Sequence, residues 1–285
     1  MSQTLDPPSH VPKPPEVAEL LDRGRRAAEA GDWMAAGQAW VLAAMEGNRE
    51  GAELATQVTG ELLRLADAGS AEAAALLAGI LLEYFDESAL PMAVKYAKAS
   101  AEAGSPAGRR TYGHMLAEGV GVEQDSARAI ELFRTAAEDG DAYGAFNLTR
   151  RSDDHDESLR LLERAAGQGL VVAGAALADR LSAVDRDEEA LRWYVWAAER
   201  GDTGAVNAAA CWYRDGFGTE PDPVQAVRWF VTLLAHGNGD GIHEAIQLAK
   251  RAAMTEDQIR EAGRLAGDPG AAEALIHTVE GKPLP

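Results

Sequence analysis

Along residues 126–139 the apolar positions Ala129, Leu132, Phe133 and Ala136 fall at i, i+3, i+4 and i+7, with charged residues between them. That spacing lays a single apolar stripe along one side of a helix. The preceding stretch PAGRRTYGHMLAE (106–118) also predicts a helix, and GVGVEQD (119–125) separates the two. Gly119 and Gly121 supply the backbone freedom needed at a helix exit and turn. Asp125 stands where the second helix needs an N-cap, and Gly140 where it needs a left-handed C-terminal residue. Residues 105–140 therefore read as two antiparallel helices joined by a short loop.

The same text returns along the chain. AAEDG (136–140) recurs as AAERG (197–201) and, more loosely, as AAMEG (43–47), LADAG (65–69), SAEAG (100–104), AAGQG (165–169) and LLAHG (233–237). The closing glycines are Gly47, Gly69, Gly104, Gly140, Gly169, Gly201 and Gly237. The intervals 69→104, 104→140 and 201→237 are 35, 36 and 36 residues, while 140→169 and 169→201 shorten to 29 and 32. The shortening falls in the loop, where RRSDDHDES and SAVDRDEEA replace the glycine form. Four residues after each tag glycine stands glycine or alanine: Gly51, Ala73, Gly108, Gly144, Ala173, Ala205 and Gly241. Eleven before it stand Ala36, Ala93, Ala129, Ala190 and Ala226, with Val58 and Ser158 as exceptions. Seven before it stand Trp40, Leu62, Ala97, Phe133, Leu162, Tyr194 and Phe230. Small residues where helices approach closely and larger ones where gaps need filling are the marks of stacked repeats.

Residues 16–47 read as a further helix pair with a tight AGDW turn, and residues 48–69 as either one helix or two stunted ones. At the other end, Thr255 and Gln258 form a capping-box pattern, and Asp268 and Pro269 an N-cap followed by N1 proline. The organisation expected is a Pro-rich arm over 1–15, disordered or extended, a solenoid over 16–254, and a helical cap and tail over 255–285.

The unit at 205–237, through Ala205, Tyr213, Gly216, Gly218, Asp222, Ala226, Trp229, Phe230 and Gly237, resembles the Sel1-like repeat family, a relative of the tetratricopeptide repeats. The unit at 108–140 matches at Gly113, Gly119, Gly121, Val122, Asp125, Ala129, Phe133, Ala136, Ala137 and Gly140, with Gly108 and Tyr112 departing from the pattern. The unit at 173–201 matches at Ala173, Leu177, Ala190, Trp193, Tyr194, Ala197, Ala198 and Gly201, without the glycine loop. The resemblance covers about residues 70–250 closely and 16–47 loosely. It implies an all-α, right-handed solenoid of about seven stacked antiparallel helix hairpins, and a non-enzymatic role as adaptor or scaffold for other proteins.

Composition sharpens this reading. Of 285 residues, 46% are hydrophobic and only 6% aromatic, and the sparse valine and isoleucine argue against sheet. The formal charge of −19 disfavours nucleic acid and anionic membrane as partners. The opening residues hold no apolar run of the signal-peptide kind, and no stretch approaches 18 apolar residues, so the expected location is cytoplasmic.

Candidate chemistry is thin. HGNGDGIH (236–243) sets His236 and His243 near Asp240 but lacks the spacing of a nucleotide loop, and DDHDE (153–157) lacks that of a calcium loop. Cys211 is the only cysteine and has no histidine one turn away, so a packed or partly exposed thiol is expected. Trp193 and Trp229 fit core positions, while Trp212 is free to edge a binding surface. No cofactor, metal or catalytic set is expected. By the resemblance, the first helix of each hairpin lines a concave face, with positions 6, 10 and 13 after each tag glycine pointing inward. These include Arg110, His114, Phe146, Arg150, Asn207, Arg214, His243, Gln247 and Lys250. Such a groove is locally basic and suits a protein or peptide partner bearing acidic groups or a free C-terminal carboxylate, which arginine forks bind. The alternatives are an acidic, immunity-like inhibitor that engages a basic partner through surface charge, and an enzyme accessory or weak hydrolase.

Overall fold

The computed structural model describes residues 4–237 and 239–281, and among them every regular element is helical. The contacts divide the chain into two units. Unit A is residues 14–161; unit B is residues 162–281 together with the segment 4–13.

In unit A the antiparallel neighbours are α1 (Val17–Glu29) with α2 (Trp33–Met45), α5 (Ala71–Tyr84) with α6 (Leu90–Glu102), and α7 (Pro106–Glu118) with α8 (Ser126–Glu138); between the first two pairs α3 (Arg49–Gln57) packs on α2 and α4 (Thr59–Asp67) on α5. Then come α9 (Ala142–Thr149) and α10 (His155–Gly167), the latter running across the boundary. Residues 48–69 are thus two short helices, with Val58 between them. First helices of successive hairpins also touch, α5 with α7 and α7 with α9, which is the stacking of a solenoid.

Unit B continues with α11 (Val171–Ser182), α12 (Asp187–Ala198), α13 (Thr203–Asp215), α14 (Pro223–Ala235) and α15 (Asp240–Arg251). The antiparallel pair α16 (Glu256–Ala266) and α17 (Pro269–Glu280) closes the stack against α14 and α15. Thr255 and Gln258 form the reciprocal capping box, and the Asp268 side chain accepts from Ala271 N behind Pro269.

The packing follows the repeat register. All seven tag glycines have positive φ, between 78° and 99°. The residues eleven and seven positions before them are buried in every repeat, among them Ala129, Phe133, Ala226 and Phe230. The small residue four positions after the tag meets the preceding hairpin. A methyl group at Gly144 would stand 2.8 Å from Ala136 Cβ, and one at Gly241 2.5 Å from the Phe230 carbonyl oxygen. The second loop glycine likewise permits a close approach, since Gly218, at φ 68°, lies against the Asp187 backbone at the start of α12.

Ion pairs tie neighbouring repeats at a separation close to one period. In unit A they are Arg109 with Asp139, Arg110 with Asp141 and Arg151 with Glu118; in unit B, Arg214 with Glu244 and Arg228 with Glu199. Each is partly exposed and contributes no more than about 1 kcal/mol, so they orient hairpins more than they stabilise them.

The Pro-rich segment expected to be disordered or extended is partly exposed, and part of it rests on unit B. Residues 4–8 have no regular structure, a turn follows at Ser9 and His10, and Val11 is buried in unit B. Residues 1–3 and 282–285 lie outside the described residues.

Candidate functional site

The concave candidate is a cavity of about 840 Å³ in unit A. Its floor is a row of first helices, α5, α7 and α9, and α2 forms the opposite wall, with Arg23 of α1 at the rim. On α7 the lining residues Ala107, Arg110, Thr111 and His114 follow i, i+3, i+4, i+7, a single helix face. On α5 the positions six, ten and thirteen after Gly69 are Ala75, Gly79 and Leu82, and all three line the cavity. On α7 the corresponding positions Arg110 and His114 line the cavity and Ala117 does not.

The chemistry of that face differs from the basic groove expected. Val41, Leu42, Met45, Leu76, Ile80 and Leu82 make it mainly apolar. Leu42 and Met45, one turn apart on α2, remain 38% and 57% exposed and belong to this apolar lining. Arg110 lines the cavity, but its Nη1 lies 2.8 Å from Asp141 Oδ2 and its guanidinium stands 5.2 Å over the Tyr143 ring, so its charge is already matched. Burial raises the Tyr143 phenol pKa; Arg110 opposes that shift and Asp141 and Glu46 add to it. Burial, helped by Glu83, does the same to Tyr84. Glu72 and Glu83 leave the rim with a carboxylate excess over Arg23.

Of the other residues expected at the site, His114 lines the cavity, Phe146 is half-buried on α9, and Arg150 is exposed just past the end of α9. Asn207, His243, Gln247 and Lys250 are exposed on α13 and α15 of unit B. Arg214 is occupied. Its Nε and Nη2 donate to Asp215 at 2.8 and 2.7 Å, and Nη1 donates to Glu244 at 2.9 Å. The two partners sit one residue and one repeat away, and a helix-face reading does not look in either direction. Reading only positions 6, 10 and 13 of the first helices missed Leu42 and Met45, on the second helix α2, and Tyr84 at the end of α5. The signal available was the large apolar residues of α2 and α5 that exceed what one stripe can bury.

Elsewhere, Cys211 is half-buried and burial raises its thiol pKa. Trp212 packs edge-on to Tyr194 at 5.1 Å and tilted against the half-exposed Phe217 at 5.6 Å. Among the described residues no group of three or more His, Cys, Asp or Glu is placed to hold a metal ion, and no helix is long and apolar enough to cross a membrane.

Comparison with known proteins follows the same repeats. The Sel1 repeat model matches residues 111–141, 142–170, 180–202 and 204–232. Among solved structures, the chain is similar to a protective antigen of uropathogenic Escherichia coli displaying an SLR fold, with 24% identity and a TM-score of 0.64 over 95% of this chain. It spans 65% of that antigen's length. It is also similar to a Sel1 repeat protein from Oxalobacter formigenes, with 21% identity and a TM-score of 0.54 over 93% of this chain and 99% of that one. No curated protein matches the chain.

Proposed function

The chain is a Sel1-like repeat protein, and from that premise we propose that it is a non-catalytic adaptor whose unit A cavity seats a short segment of a partner protein. The Sel1-repeat fold commonly mediates protein–protein interaction, which sets the class of function. The carrying observation is the cavity of about 840 Å³ with Leu42 and Met45 held partly in water at its rim. Such a hollow takes one or two large apolar side chains of an inserted peptide.

Charge selects the flanks of that peptide. Arg110 is matched by Asp141 and Arg214 by Asp215 and Glu244, while Arg150, the third arginine expected to grip a carboxylate, is exposed past the end of α9 and does not line the cavity. Glu72 and Glu83 stand at the rim, on a chain of net charge −19. The segment favoured is therefore apolar at its centre and basic at its ends, in place of the acidic peptide that the sequence suggested. Long-range attraction would raise the rate of encounter and the apolar anchor would hold the complex.

The test is a peptide-display selection on the full chain, followed by affinity measurement against Leu42→Asp and Met45→Glu. Selected peptides should carry an apolar centre with lysine or arginine beside it. Each substitution should weaken them about tenfold or more, the scale of a lost interface anchor. Peptides that bind both variants as well as the native chain would place recognition elsewhere. Binding abolished by ~0.5 M salt but untouched by the two substitutions would favour the acidic-surface reading instead.

A further inference from the structure

The segment 4–13 is held on unit B by a row of side chains along α12. Leu5 N donates to Glu189 Oε2 at 2.6 Å. Trp193 Nε1 donates to the Leu5 carbonyl at 2.8 Å, Trp196 Nε1 to the Pro8 carbonyl at 3.3 Å, and Arg200 Nη2 to the Val11 carbonyl at 2.7 Å. Asp6 pairs with Arg192 at 3.0 Å. Positions 189, 193, 196 and 200 follow i, i+4, i+7, i+11, so one face of α12 and its exit reads the whole segment. Val11, 6% exposed, comes down beside the Gly169 turn.

Three features make this a built recognition surface rather than incidental packing. Trp193 and Trp196 are 0% and 5% exposed, so their indole N–H groups would be costly to bury without acceptors. The two rings stand edge to face at 5.4 Å, and the Arg200 guanidinium lies 4.4 Å over Trp196, which fixes the donors in place. The donors also match their ligand. Three of the four backbone bonds are received by carbonyls, at Leu5, Pro8 and Val11, and Pro7, Pro8 and Pro12 have no N–H to leave unpaired. A segment rich in proline presents carbonyls without donors and has little conformational freedom to lose on docking, and aromatic faces exploit both properties.

We propose that this face of unit B is a binding site for proline-containing peptide segments, and that residues 5–11 are its tethered resident ligand, displaced when a segment of the same chemistry arrives on another protein. The site belongs to unit B alone, and the proposal stands or falls independently of the unit A cavity. A tethered ligand acts at an effective concentration in the millimolar range, so a free segment competes only when it is abundant or when the resident is weakened.

The experiment uses the full chain and a fluorescein-labelled peptide of residues 4–13, read by anisotropy, with a proline-free scrambled peptide as control. Val11→Asp should loosen the resident and raise affinity for the labelled peptide about tenfold or more over the native chain. Adding Arg200→Ala to Val11→Asp should remove that gain. Should Val11→Asp lose its helical circular dichroism, Val11→Ala reads the same comparison with a smaller gain. Equal affinity of native and Val11 variants, no binding to either, or equal binding of the scrambled peptide would overturn the proposal.

Discussion

Replacing Gly108 by alanine tests the idea that the small residue four positions after each tag sets the distance between hairpins. A Cβ built at Gly108 stands 2.6 Å from Ser100 Cβ and 2.7 Å from the Ser100 carbonyl carbon, and closer still to Ser100 Oγ. Ser100 cannot swing aside freely, since it is 1% exposed and its Oγ donates to the Ala71 carbonyl at 2.6 Å. In an open helix the change would gain about 1 kcal/mol in propensity. Here overpacking costs about 2 kcal/mol and disturbing a buried hydrogen bond about 2 more, leaving a net loss near 3 kcal/mol. Gly79→Ala is the control, because nothing stands within 4 Å of a methyl group there and about 1 kcal/mol should be gained. Both residues lie in unit A, so thermal melts followed by far-UV circular dichroism should move Tm in opposite directions, by about −9 °C and +3 °C. A Gly108→Ala protein melting at or above the native temperature would refute the close-approach argument.

Gly218→Ala should cost about 3 kcal/mol in urea titrations and Gly201→Ala about 1 kcal/mol. Both have positive φ, but only Gly218 also lies against backbone, at Asp187. Glu189 titrates below the ordinary glutamate range because the Arg186 guanidinium grips it, with Leu5 N–H helping. Its contribution is whole above the unfolded pKa of about 4.3 and fades as pH falls through the lower folded value. Glu189→Gln should therefore lower the urea midpoint at pH 7 and leave it nearly unchanged at about pH 2; a gap of equal size at both would refute the assignment. The Cys211 thiol, raised by burial, should react with a disulfide reagent at pH 8 more slowly than a free cysteine, measured by absorbance; an equal rate would refute the burial argument.

The repeat register was readable because its signals are local. A glycine that must take positive φ, an aspartate that caps and an alanine that lets a helix approach are each dictated within one hairpin, and Gly140, Asp125 and Ala129 stand as their spacing implies. Over 48–69 the text allowed one helix or two, with Gly60 near the middle, and did not single out Val58, where α3 ends and α4 begins. The occupied arginines escaped for another reason. Arg110 and Arg214 find partners one repeat ahead, at Asp141 and Glu244, so the face alone shows a cation where the fold shows a pair. The docking of residues 5–11 was furthest from view. Proline content tells that this stretch forms no helix, and says nothing of indoles more than 180 residues away.

The attachment of residues 4–13 to unit B has a mechanical consequence. The chain leaves that unit at Pro14 and re-enters it at Leu162. A stretching force applied between residue 4 and residue 281 would run through the strap bonds and α12 onward, and bypass residues 14–161 altogether. Those residues would bear load only after the strap had peeled, so a pulling trace should show a short, low-force release before the longer extensions of the hairpins.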